Sequence, residues 1–139
     1  MKVAYTHTYL DPKTLMGVFG IRIYEDGVLL ESVDGSECPV TDKRLGLVAV
    51  VEALMTVPEN EYLRIYTTSD YALSQLVEKN DHRKNRDLVR TFRKAHGDRR
   101  TQIRRISEHN RKIHALEKEI RATLPGILAT YEPPVSPFL

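Results

Sequence analysis

Two groups of residues in this sequence have types and spacings that suit chemistry. The first is a scatter of nitrogen and oxygen donors: His7, Asp70, His109, His114 and Glu117. Imidazole and carboxylate together make a softer, nitrogen-containing metal centre, so His7, Asp70, His114 and Glu117 form one candidate ligand set. Each also has an ordinary structural role. Asp70 follows Ser69 at the start of a helix-like run and is more simply a cap. His7 lies in an alternating strand-like stretch, where a histidine is more simply a hydrogen-bonded structural residue. The second group is a basic run. Residues 79 to 112 hold thirteen Lys/Arg against four Asp/Glu, a local charge of +9, which leaves −7 for the rest of a chain whose net charge is +2. Such polarisation suits a polyanion or an acidic protein partner; a solvated charged face is the plain alternative.

The elements that must carry these residues follow from hydrophobic period and turn chemistry. "KVAYTHTYL" alternates and is rich in Val, Tyr and Thr, so it reads as a strand. "MGVFGIRIYEDG" and "VLLESVDG" read as a hairpin closed by Asp26-Gly27. From Thr41 to Val57 the period changes: Leu45, Leu47, Val48, Val51, Leu54 and Met55 recur at helical spacing, with Thr41 as N-cap and Pro58 as the stop. "YLRIYTT" is a fourth strand. "SDYALSQLVEK" and "NRDLVRTFRKAH" are helices, the second stopped by Gly97. "TQIRRIS" is a fifth strand, and "KIHALEKEIRATL" a last helix closed by Pro125-Gly126. The order β-β-β-α-β-α-α-β-α predicts a mixed α/β sheet, an antiparallel meander plus parallel strands, flanked by helices.

The chain of 139 residues reads as one domain over 1–126. Residues 127–139, with Pro133, Pro134 and Pro137, read as an extended or disordered tail. No apolar stretch is long enough for a membrane span, and a strand-like run rather than a leader follows Met1. The single cysteine, Cys38, forms no internal disulfide and suits a cytoplasmic or other reducing intracellular compartment.

Four fragments in this order resemble the ribonuclease H family, over about Lys2 to Leu124. "TDKRLGLVAVVEAL" is similar to the family's first helix through Thr41, Arg44, Leu47 and Ala49. "YTTSDYAL" is similar to its fourth strand and turn through Thr67, Ser69 and Tyr71. "KNRDL" matches through Lys84, Asn85, Asp87 and Leu88, and "ISEHN" resembles the strand end that carries a loop histidine, here His109. The resemblance implies a ribonuclease H-like five-stranded sheet, with His7, Gly46 and Thr68 converging at its centre.

That family cuts RNA in hybrids with two divalent ions held by four carboxylates, an arrangement that stabilises the attacking and leaving oxygens. Carried over, the carboxylate positions fall on His7, Gly46 and Thr68, and near Glu117 within a residue or two. Three of the four are not carboxylates. A glycine in mid-helix costs about 1 kcal/mol relative to alanine, so Gly46 reads as part of a dismantled site. The resemblance therefore implies a catalytically inactive domain with no metal cofactor, Mg²⁺ or Mn²⁺ entering only if an altered site is active. It would grip RNA, DNA or hybrid backbone through Lys84, Arg86, Arg90, Arg93, Lys94, Arg99 and Arg100, independently of sequence. On a helix Arg86, Arg90, Arg93 and Lys94 share a face, and Leu88, Val89 and Phe92 turn inward or along its side. No aromatic residues interleave with the run to suggest stacking on single strands; Phe92 is the one within it. The competing expectations are a scaffold or protein-interaction module in a nucleoprotein assembly, and a divergent active nuclease. Small size and heavy divergence suit a viral or mobile-element origin.

Overall fold

Three strands open the chain: β1 (Lys2–Leu10), β2 (Gly17–Glu25) and β3 (Val28–Glu37). This is a computed structural model, and it describes residues 1–77, 84–97 and 100–132. Asp26 and Gly27 take φ of 51° and 78°, the paired left-handed conformations that a two-residue hairpin needs. α1 (Asp42–Thr56) begins where the Thr41 hydroxyl accepts a hydrogen bond from the Arg44 N–H at 3.2 Å. Then follow β4 (Leu63–Thr67), α2 (Asp70–Leu76), α3 (Arg86–His96), β5 (Thr101–Arg105) and α4 (Arg111–Thr130).

The strands lie in the order β3-β2-β1-β4-β5. β1, β2 and β3 are antiparallel neighbours; β4 runs parallel to β1 and β5 parallel to β4. The molecule is thus α/β, with a five-stranded mixed sheet flanked by four helices, consistent with a ribonuclease H-like fold.

The two faces of the sheet are covered differently. Ala4, Ile21, Ile23, Leu63 and Ile65 form one face of the main core, against α1 with Val89 and Phe92 of α3. α1 is buried nearly all round, from Leu45 to Leu54, because it lies between other elements; Met55 is exposed. On the opposite face α4 sets Leu116 and Ile120 against Val18, with Tyr9, Leu124 and Ile127 at the margin. β2 lies under both layers, so every residue from Gly17 to Ile23 is buried.

Arg22 fixes α4 to the sheet. Its Nη1 donates to Asp34 Oδ1 at 2.7 Å, and its Nε and Nη2 donate to Glu119 Oε2 at 3.1 and 2.7 Å. Burial works against the guanidinium charge, but the two carboxylates outweigh it and hold its pKa above the ordinary value.

One expected boundary is corrected. α4 does not stop at Pro125-Gly126; it runs through Pro125 to Thr130. The proline forfeits a backbone hydrogen bond on the exposed side, while Leu124 and Ile127 pack against the Tyr9 and Val18 cluster. The segment read as extended from residue 127 therefore begins as helix. Pro133, Pro134 and Pro137 lie outside the described residues.

Candidate functional site

β1 and β4 are neighbours, and their carboxyl ends open beside α4. There a cleft of about 620 Å³ is lined by His7, Thr68, Ser69, Asp70, Arg105 and Glu117, among others. His7 leaves β1 on the α4 side of the sheet. Its Nδ1 lies 2.9 Å from Thr68 Oγ1 and its Nε2 lies 3.2 Å from Glu117 Oε1. A carboxylate oxygen accepts, so the ring donates from Nε2 to Glu117, while the Thr68 hydroxyl can either donate to Nδ1 or accept from it. His7 is buried, with 7% of its side chain exposed against 37% for Glu117.

Gly46 stands behind this group. A Cβ there would sit 2.5 Å from Ser69 Oγ and 2.7 Å from Ser69 Cβ. The Ser69 hydroxyl in turn accepts from the Ala72 N–H at 3.0 Å and starts α2, so Ser69, not Asp70, is the side-chain cap. α1 approaches the β4–α2 turn so closely that no side chain fits at position 46. His7, Thr68 and Glu117 thus meet directly, and Gly46 backs onto the residue next to Thr68.

The other donors do not join this group, although Asp70 lines the same cleft. Asp70 accepts from Arg105 Nε at 2.9 Å. His114 is exposed on α4, and His109 is exposed in the turn before it, its N–H donating to Ser107 Oγ. Among the described residues no three His, Cys, Asp or Glu side chains gather as a metal site. Four carboxylates, Asp42, Asp70, Glu108 and Glu117, line the cleft without gathering: Glu117 is turned to the His7 ring and Asp70 to the Arg105 guanidinium, whereas two close dications need several converging carboxylates.

Four of the residues that carried the family resemblance, Arg44, Tyr71, Asn85 and Asp87, form a single network with Glu37. Arg44 Nη1 and Nη2 donate to Asp87 Oδ1 and Oδ2 at 3.1 and 2.8 Å; Nη1 also reaches Asn85 Oδ1 at 3.1 Å, and Nε reaches Glu37 at 3.2 Å. Asn85 Nδ2 donates to Tyr71 Oη at 3.1 Å. Asn85 takes φ of 58° and does not cap α3, since its side chain is turned into this network. Hydrogen bonding from Arg44 holds the Asp87 carboxyl below its usual range. The network ties α1, β3, α2 and α3 together.

α3 buries Val89 and Phe92, half-buries Leu88, and exposes Arg86, Arg90, Arg93 and Lys94. Lys84 and Arg100 are exposed as well, and Arg99 lies outside the described residues. Around this face the charge is uneven. Lys94 and Arg100 share a hollow with Glu59 and Glu61. Arg93 instead lines a hollow with His96, Gln102 and Arg104 at the β5 edge.

Sequence reasoning missed one cluster altogether. Tyr5, Tyr24 and Tyr66, from β1, β2 and β4, meet on the α4 side of the sheet. Their signal was the alternation of tyrosine with smaller residues in three separate strands, not an aromatic residue within the basic run. No protein-family model matches the chain, and no curated protein matches it.

Proposed function

We propose that this chain is a divergent member of the ribonuclease H-like family that has given up catalysis and binds nucleic-acid backbone through the exposed basic face of α3. The observation that carries the reading is the contrast between two sites. The positions that the resemblance assigns to catalysis hold a Thr68–His7–Glu117 hydrogen-bond chain, and Gly46 is closed off by Ser69. The basic residues of α3 stand in solvent on a helix anchored from behind by Val89 and Phe92. Guanidinium groups on such a face match phosphates bidentately and release counterions, and read no bases.

Binding to duplex, hybrid and single strands should fall with salt, the log–log slope approaching −0.9 per phosphate on duplex. Arg90→Ala with Arg93→Ala should lower the slope by about one unit per lost contact, equally for all sequences. Hybrid cleavage that requires Mg²⁺ or Mn²⁺ and disappears in Glu117→Gln would overturn the inactive reading.

One observation favours the second reading, a module docked on another protein. Val28, Leu29 and Leu30 are 61%, 48% and 52% exposed on the edge strand β3, an unpaired edge of the kind that takes up a partner strand. Absence of binding to any nucleic acid at low salt would select it.

A further inference from the structure

We propose that the outer edge of β3 takes up an extended strand of a partner protein in which basic and apolar residues alternate. The inference rests on the protein-docking reading of this edge and names the chemistry of the partner. It asks nothing of the α3 face.

The edge is open along its backbone. β3 is the terminal strand of the sheet, and among the described residues no loop or turn bonds to residues 28–37 from outside. Backbone groups left this way are a template for another strand. Leu30 is the extra residue of a bulge, since Glu31 pairs with Ile23 and Leu29 with Tyr24. From Glu31 to Glu37 the pairing is regular, so a straight stretch remains for an added strand. Among the described residues of β3 only Val33 packs against the main core, and Val28, Leu29 and Leu30 stand in solvent.

The two faces of the edge favour different residues. Register puts Glu31 beside Ile23 and Val28 beside Glu25 on the α1 face, and Leu29 beside Tyr24 on the α4 face. Residues 17–37 hold five acids, Glu25, Asp26, Glu31, Asp34 and Glu37, against Arg22 alone, a charge of −4. Asp34 is bonded to Arg22 and Glu37 to Arg44. Among the described residues Glu25, Asp26 and Glu31 enter no ion pair, and Lys2, opposite Glu25, is held by Glu61 at 2.6 Å. A cation arriving on the α1 face therefore meets unpaired carboxylates. On the α4 face Leu29, Tyr24 and Ala115 line a hollow of about 300 Å³, where Arg111 and Lys112 disfavour a further cation. That hollow suits an apolar side chain.

Successive residues of a strand point to opposite faces, so one strand meets both demands when basic and apolar residues alternate. Charge makes the other occupants poor. A second copy of β3 would bring −4 against −4, and a nucleic-acid backbone would meet the same acids.

The test titrates the whole chain, by calorimetry, with synthetic peptides of about eight residues, the length of an ordinary strand. One alternates Val and Lys, one alternates Val and Glu, and one is the Val-Lys peptide with every amide N-methylated, which removes its backbone donors. The Val-Lys peptide should bind saturably and the other two should not. Glu31→Lys should weaken the Val-Lys peptide about five-fold, the loss of one cross-strand charge pair, and strengthen the Val-Glu peptide. Leu29→Ser should weaken the Val-Lys peptide too. Both residues are exposed, so an unchanged melting curve separates docking from folding. Equal binding of the N-methylated peptide would overturn strand addition. Preference for the Val-Glu peptide, abolished by N-methylation, would overturn the partner chemistry and leave the docking reading standing. Binding of neither peptide would overturn both.

Discussion

At the scale of single residues, packing around the cleft decides what chemistry remains. Gly46 looks in sequence like a helix defect, and Ala there would gain about 1 kcal/mol of helix propensity. The structure reverses that expectation, because a Cβ would press on Ser69 at 2.5 Å. Gly46→Ala should destabilise the fold by about 1–2 kcal/mol in urea melts, and Ser69→Gly in the same chain should recover much of it. A stabilised single variant would mean that the β4–α2 turn yields easily. Tyr5 gives a second residue-scale prediction. Burial first, then the neighbouring Tyr66 and Tyr24, raise its phenol pKa above 10.0. The folded state thus holds that proton longer than the unfolded chain. Its contribution to stability is complete below pH 10 and falls as pH climbs through the raised value. Tyr5→Phe should flatten the alkaline limb of a stability–pH curve; an unchanged limb would refute the assignment.

At the scale of elements, the family-like fragments act as fasteners. Arg44 on α1 holds Asp87 on α3, and Asp87 is kept ionised to lower pH than a free carboxylate. A depressed carboxylate contributes stability above its unfolded pKa near 3.8, and that contribution is lost as pH falls toward the lowered value. Asp87 is 63% exposed, so Asp87→Asn should cost less than about 1 kcal/mol at neutral pH, and less again in acid. A cost that grew with acidity would contradict this. α4 shows tertiary packing overriding a local breaker. Ile127→Ala should lose about 1 kcal/mol if the turns beyond Pro125 are held by the Val18 cluster, and a silent change would show that the helix end contributes nothing.

For the whole molecule, the covering of the sheet sets both stability and function. α1 buries nine residues, whereas α3 buries two. Native-state hydrogen exchange should therefore find the slowest amides in β1, β2 and α1, with α3 opening at lower free energy. Equal protection in α1 and α3 would count against this ranking. The same asymmetry lets α3 present cations on one side of the molecule, while on the other side Lys112 of α4 lies over the Tyr5 and Tyr24 rings.

The sequence by itself determined the element order, the hairpin at Asp26-Gly27, the cap Thr41 and the basic helix face. These depend on local period, turn conformation and neighbouring side chains, all of which lie within a few positions of one another. Under the ribonuclease H resemblance it also implied that three of the four carboxylate positions hold other residues. Only the tertiary structure decided how those positions meet, since His7, Thr68 and Glu117 are brought together from three elements and the helix register near Glu117 cannot be read from spacing alone. Gly46 could be understood only once Ser69 was seen against it. The tyrosine cluster was invisible for the same reason: Tyr5, Tyr24 and Tyr66 come from strands far apart in the chain, and strand register, a long-range property, is what places them side by side.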